Sequence, residues 1–249
     1  MLLENKTAVV YGGGGSIGGA MARAFAAEGA RVFLAGRTPA KLDAVADDIR
    51  RAGGLAETAV VDALDETAVN GWVDSVVATA GSVDISVNVI SHDAIFQPLV
   101  DMPVADFARA MEKVARTFLL TGQAAARHMV KQGSGVILHF GGSDSGNSMP
   151  GIGTVQIGSD LVEAMRRQWA CELGPHSVRV VSMRTGGIPE TVPDMPQTEP
   201  IKQQMVDATL LGRAATLEDV GRVAAWLVSD HARTLTSTQV NISCGAFVD

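Results

Sequence analysis

Thr7-Ala8-Val9-Val10-Tyr11-Gly12-Gly13-Gly14-Gly15-Ser16-Ile17-Gly18-Gly19 is the stretch whose reading decides the fold of this 249-residue chain. An apolar run enters a glycine turn, and Ile17, Ala20, Met21, Ala24 and Phe25 then recur at helical spacing. The pattern is strand, turn, helix. Glycines in such a turn permit positive φ and let a backbone approach a diphosphate, whose charge is met by free N–H groups at the positive end of the helix. Gly12, Gly15, Ser16, Ile17 and Gly18 are therefore the expected anion cradle.

Working outward, short apolar runs alternate with helical patterns to the end of the chain: Val32–Leu34, Ala59–Val61, Val83–Val87, Val136–Leu138, Val178–Val181 and Gln239–Ile242. Parallel strands buried on both faces read this way. Helix ends are also legible, as where Thr38 stands as N-cap before Pro39 and Leu42, Val45, Ala46 and Ile49 follow on one face. Right-handed crossovers then give an α/β fold, a single-domain doubly wound parallel sheet over residues 1–249 with helices on both faces. Two loops stand out: Gly141 to Gly151, rich in Gly and Ser, and Arg184 to Pro200, which holds four of the nine prolines. In such sheets ligands sit at the carboxyl ends of the strands. The segment from 184 to 210 is accordingly read as a lid over a bound substrate.

Composition limits the partners. A formal charge of -7 without a long basic run argues against nucleic acid. The start Met1-Leu2-Leu3-Glu4-Asn5-Lys6 carries charges where a signal peptide is apolar, and no segment offers the roughly 18 uninterrupted apolar residues of a membrane span. A cytoplasmic protein without membrane attachment is expected. Cys171 and Cys244 are the two cysteines, far apart and without metal spacing, so reduced thiols and no metal site are expected.

The motifs resemble those of the short-chain dehydrogenase/reductase family over essentially the whole length. Tyr11 to Gly18 is similar to that family's Thr-Gly-x-x-x-Gly-x-Gly turn, with Tyr11 for Thr and Ser16 for the middle Gly. Asn88-Val89-Ile90-Ser91 resembles a degraded Asn-Asn-Ala-Gly motif, and Thr185-Gly186-Gly187-Ile188-Pro189-Glu190-Thr191 resembles the family's Pro-Gly-x-Ile-x-Thr stretch. Leu211-Gly212-Arg213, Glu218-Asp219-Val220 and Ser229-Asp230 match its C-terminal signature. The resemblance implies a Rossmann-type fold and a nicotinamide dinucleotide. Asp62 with Ala63 would then flank adenine, while Asn88, Gly186, Ile188 and Thr191 would complete the cofactor site. It also implies self-association into a homodimer or homotetramer, through the long apolar helices expected from Asp101 to Lys131 and from Thr154 to Leu173. Cofactor choice follows from charge. The second strand ends in Gly36-Arg37, where a guanidinium suits the 2′-phosphate of NADP and no carboxylate waits for the 2′-hydroxyl of NAD. NADP(H) is favoured over NAD(H).

The family's catalytic residues are another matter. Its Ser, its Tyr and the Lys four residues beyond the Tyr fall, by alignment on Pro150-Gly151, on Gly142 or Ser143, on Val155 and on Ser159. The family's helical Asn falls on Lys113 or Val114. Sliding the alignment does not help, because Tyr11 is the single tyrosine and no lysine occurs between Lys131 and Lys202. Ser143, Asp144 and His92 are candidates for a replacement relay, with His139 and Ser145 beside them; the same residues also read as turn formers and strand packing. The catalytic residues stay unassigned. Three functions remain open: an NADP-dependent oxidoreductase whose substrate, an imine, activated alkene or activated carbonyl, needs no tyrosine proton; a non-catalytic dinucleotide-binding regulatory or scaffold subunit; and a non-redox enzyme using the same pocket.

Overall fold

The computed structural model describes residues 1–91, 94–141 and 148–248. Strand β1 (Thr7–Tyr11) is buried along its whole length and leads through the glycine turn into helix α1 (Ser16–Ala27). Then come β2 (Arg31–Gly36), α2 (Pro39–Arg51), β3 (Leu55–Val60), α3 (Glu66–Ala80) and β4 (Ile85–Asn88). The second half runs α4 (Val104–Gln132), β5 (Gly135–Phe140), α5 (Gly153–Leu173), β6 (Val178–Arg184), α6 (Glu199–Asp207), α7 (Leu217–Val228) and β7 (Thr238–Asn241).

The seven strands form one parallel sheet in the order β3-β2-β1-β4-β5-β6-β7. Alternate residues of each strand serve opposite faces, as the period of two requires. Ala8, Val10, Val32 and Leu34 pack with Met21, Phe25, Leu42, Ile49 and Val220 of α1, α2 and α7. Val9, Tyr11, Phe33 and Ala35 pack with Val69, Val73, Ala124, Met129 and Ala170 of α3, α4 and α5. The direction of sheet growth reverses between β1 and β4, which opens a crevice at their carboxyl ends.

Two differences from the sequence reading have clear causes. Strand β3 begins at Leu55 and ends at Val60, earlier than expected, because it lies at the sheet edge and alternates exposed Leu55 and Glu57 with buried Ala56. A search for a continuous apolar run finds only its end. Thr38 does occupy the N-cap of α2, but its side chain makes no capping bond; its carbonyl accepts from the Lys41 and Leu42 N–H groups instead. Among the described residues, no helix is long and apolar enough to cross a membrane.

Candidate functional site

A groove of about 480 Å³ runs along the carboxyl edge of the sheet. Its wall begins at the turn after β1. Gly12 has φ of +79°, and a side chain at Gly18 would overlap the Gly12 carbonyl and come within 2.8 Å of Val89 Cγ2. Only hydrogen at Gly18 lets the start of α1 pack this closely on the turn. The turn closes on itself, with Gly15 N–H donating to the Gly12 carbonyl at 3.0 Å, and Gly12 and Gly13 N–H tie it to the end of β2 through the Ala35 carbonyl. Ser16, Ile17 and Gly18 then present the first, unpaired turn of α1 to the groove.

The other expected cofactor residues divide into two groups. Arg37, Asp62, Ala63 and Thr191 line the groove with Gly12, Gly15, Ser16, Ile17 and Gly18. Asp62 Oδ1 accepts from the Leu64 N–H at 3.0 Å, which fixes the loop after β3. Asn88, Gly186 and Ile188 are not part of the groove wall. Asn88 is buried and acts as a brace: its amide donates to Thr121 Oγ1 at 3.0 Å, and its oxygen accepts from Ile90 N–H at 2.9 Å. That bond shapes Val89, Ile90 and Ser91, which do reach the groove. Ile188 is core, and its carbonyl accepts from Thr191 Oγ1 at 2.8 Å, holding the groove residue in place. Gly186 packs beside Ala246 of the C-terminal segment.

Sequence reasoning missed one groove cation, Lys41, and met another, Lys113, only as a candidate position of the family's helical Asn. Lys41, in the first turn of α2, lines the groove beside Arg37, and Lys113 of α4 lines it on the β4 side. The four-residue spacing of Arg37 and Lys41 was a usable signal, since it puts both on one side of the helix start. Among the described residues Arg37 and Lys41 make no ion pair. Among the described residues Asp62 is the one carboxylate of the groove wall, against Arg37, Lys41 and Lys113, in a chain whose overall charge is -7. The local field thus opposes the global one and suits an anionic ligand.

The region expected to hold the reacting groups is arranged differently. Ser143, Asp144 and His92 lie outside the described residues. Val155 sits half-buried in the first turn of α5 and Ser159 is buried one turn later, and neither lines the groove. His139 faces the helices: it is fully buried, with its ring edge-on to Phe118 at 4.8 Å between centroids, and neither ring nitrogen has a hydrogen-bond partner among the described residues. Burial, with the nearby Arg166 guanidinium adding to it, pushes its pKa down to about 3. It is therefore neutral at physiological pH and not a proton carrier there. Tyr11 is equally enclosed, edge-on to Trp72 at 5.1 Å, with its hydroxyl unpartnered among the described residues and its pKa raised by burial.

These residues belong to one register row. Tyr11, Asn88, His139, Ser182 and Gln239 are successive partners across β1, β4, β5, β6 and β7, so all five side chains leave the same face of the sheet. Ser182 Oγ donates to Glu163, whose carboxylate accepts from Arg166 Nε at 2.8 Å; Arg166 in turn reaches Ser237 Oγ at 3.2 Å. The pair Glu163–Arg166 is buried yet fully engaged, which is the condition under which burying two charges is tolerable. The segment read as a lid contains a 3₁₀ turn at Pro189–Thr191 and helix α6, tied by Lys202 Nζ to Asp194 at 2.8 Å and by Met205 packed on Gly187.

Comparison with known proteins adds the lineage. Residues 13–246 match a family model described as enoyl-(acyl carrier protein) reductase. The chain is 29% identical over 243 residues to the 7α-hydroxysteroid dehydrogenase of Escherichia coli K12, covering 98% of this chain and 94% of that protein. A solved 7α-hydroxysteroid dehydrogenase complexed with NADH and 7-oxo glycochenodeoxycholic acid superposes with a TM-score of 0.89 at 28% identity, covering 99% of this chain and 96% of the other. An NAD⁺-bound xylitol dehydrogenase does so with a TM-score of 0.87 at 25% identity, covering 98% and 100%. Sheet order, glycine turn and full-length similarity together establish that the chain belongs to the short-chain dehydrogenase/reductase family, whose members here are oxidoreductases built to bind nicotinamide dinucleotides.

Proposed function

We propose that the protein is an NADP(H)-binding oxidoreductase acting on an acceptor that does not rely on a tyrosine proton: an imine, an activated alkene or an activated carbonyl. The observation that carries the cofactor choice is the pair Arg37 and Lys41 at the end of β2, with no carboxylate at that strand end. A 2′-phosphate offers both cations a partner, whereas a 2′-hydroxyl offers them none. The groove fits the dinucleotide elsewhere too. The glycine turn and the start of α1 would hold the diphosphate, Asp62 and Ala63 the adenosine, and Thr191 with Lys113 would stand toward the other half. Two similar structures are named with NADH or NAD⁺ bound, so the support for a phosphate preference comes from this chain's own cations alone.

The test is calorimetry with NADPH and NADH on wild type and on Arg37→Ala with Lys41→Ala. Each charge-assisted bond is worth about 1.5–3 kcal/mol, so NADPH affinity should fall at least tenfold while NADH affinity barely moves. Equal wild-type affinities for the two would sink the assignment.

When bound, the dinucleotide supplies a hydride; the chain must supply orientation and protons. Its single tyrosine is buried against Trp72, and Val155 has no proton to give. Loss of a positioned general acid costs about 10²–10⁴ in rate. Simple ketones bear this cost in full, since an alkoxide needs a proton, whereas a protonated imine needs only hydride. NADPH oxidation with a panel of unactivated ketones should therefore stay well below about 1 s⁻¹, the low end of ordinary turnover. Turnover above that would reveal an acid this reading lacks. Val155→Tyr with Ser159→Lys should raise the ketone rate, within limits set by the buried position of Ser159. One observation favours a second reading, a non-catalytic dinucleotide-binding subunit: the binding groove is built while Val155 and Ser159 stand outside it. Tight NADPH binding with no turnover across carbonyl, imine and alkene panels would select it.

A further inference from the structure

At the opposite edge of the sheet, below the amino ends of β4, β5 and β6, lies a second cavity of about 380 Å³. Its polar lining is rich in positive charge: Lys6, Arg179 and Arg233 against Asp84 and Asp230. Both carboxylates are already committed. Asp84 Oδ2 accepts from Thr7 N–H and Ser82 Oγ, each at 2.8 Å, and Asp230 pairs with Lys6 at 3.4 Å. Three cations stand against two carboxylates, so the lining keeps an excess of positive charge. Arg179 spends its guanidinium on the carbonyls of Leu227, Ser229 and Leu235, closing the end of α7, and Asp230 is near enough to act on its charge. Arg233 has no carboxylate partner among the described residues. Burial pulls the Arg179 pKa below its usual value, with Asp230 acting the other way. The hydroxyls of Ser134 and Ser177 also border this space, and neither donates to a described residue.

We propose that this cavity is a second ligand site, distinct from the dinucleotide groove, for a compact, multiply charged oxyanion: a small phosphate monoester or polycarboxylate. The reasoning is electrostatic and geometric. A partly desolvated guanidinium gains most from a charged acceptor, Arg233 offers a planar fork for two oxygens, and two hydroxyls supply directed donors to the rest. The volume exceeds what inorganic phosphate alone needs, which leaves room for a small organic body.

Equilibrium dialysis of radiolabelled inorganic phosphate, and calorimetry with citrate, test this on the intact chain. The groove is itself anion-binding, so every titration is repeated in a groove variant that combines Gly18→Ala, Arg37→Ala and Lys41→Ala. The cavity is altered by Arg233→Glu and, separately, by Ser177→Gly, which removes a hydroxyl while suiting the φ of 59° at that residue. Both sites are exposed, so thermal melts of the variants should match wild type. The expected result is one anion per chain with Kd of about 1 mM or tighter, retained in the groove variant, weakened about ten- to hundredfold by Arg233→Glu and several-fold by Ser177→Gly. Binding lost in the groove variant, binding indifferent to both cavity variants, or no binding of either probe at about 10 mM overturns the proposal.

Discussion

Replacing Gly18 by Ala is expected to abolish useful dinucleotide binding. The added methyl has no room: it would overlap the Gly12 carbonyl, and Val89 Cγ2 stands 2.8 Å away on the other side. The Gly12 backbone is held by its N–H bond to the Ala35 carbonyl at 2.9 Å, so the neighbour that must yield is the turn itself. Overpacking of this kind costs about 1–3 kcal/mol of stability, or about 2–4 °C in melting temperature for each kcal/mol in a chain of this size. The effect on binding should be larger. Moving the turn away from the start of α1 misaims the N–H groups meant for a diphosphate, and two misplaced bonds to a charged group amount to about a hundredfold in affinity or more. Calorimetry with NADPH reads the second effect and a thermal melt the first. Wild-type affinity in a folded Gly18→Ala variant would show that the glycine turn is not the anion cradle.

The second large effect concerns acid. His139 is neutral in the folded chain down to about pH 3, whereas in the unfolded chain it takes up a proton near its ordinary value of about 6.5. Between those values the unfolded state binds more protons, so stability falls as pH falls. The full contribution is present above the unfolded value, and from pH 7 to pH 4 the loss should be about 3 kcal/mol from this one residue. His139→Leu removes it. At pH 7 the variant should lie within about 1 kcal/mol of wild type, because losing two unpartnered ring nitrogens offsets losing the edge contact to Phe118. At pH 4 it should be the more stable protein by about 3 kcal/mol. Denaturant titrations at both pH values decide the matter. An unchanged pH slope in the variant would mean that His139 is not held neutral.

The fold was open to reading because its signals are local. The glycine turn between an apolar run and a helical stripe lies within fifteen residues or so, and the central strands are continuous apolar runs because helices cover both faces. The edges were harder. Strand β3 alternates, since its edge position leaves one side to water, and α6 buries none of its residues, so it prints no apolar stripe on the sequence. Within the groove, the residues that meet a ligand through the backbone were visible as glycines. Lys41 was not singled out, and Lys113 was named only as a candidate position of the family's helical Asn, because a lysine's charge on a helix does not say by itself whether it faces a groove or bulk water. The row from Tyr11 to Gln239 could not be read at all: it exists only once strand order and register bring five distant positions into line.

The groove wall also has a lopsided origin. Every described residue that lines it comes from positions 11 to 117 except Thr191. Val155 and Ser159, and the loop that precedes them, belong to the later half of the chain. Most of the groove wall is thus encoded in one stretch, and the positions of the family's Tyr and Lys in another. A lineage built this way is free to rewrite its chemistry, or to silence it, without forfeiting its hold on the nucleotide. A descendant that gave up turnover would still register how much dinucleotide surrounds it, and natural selection would have a sensor to keep in place of a catalyst.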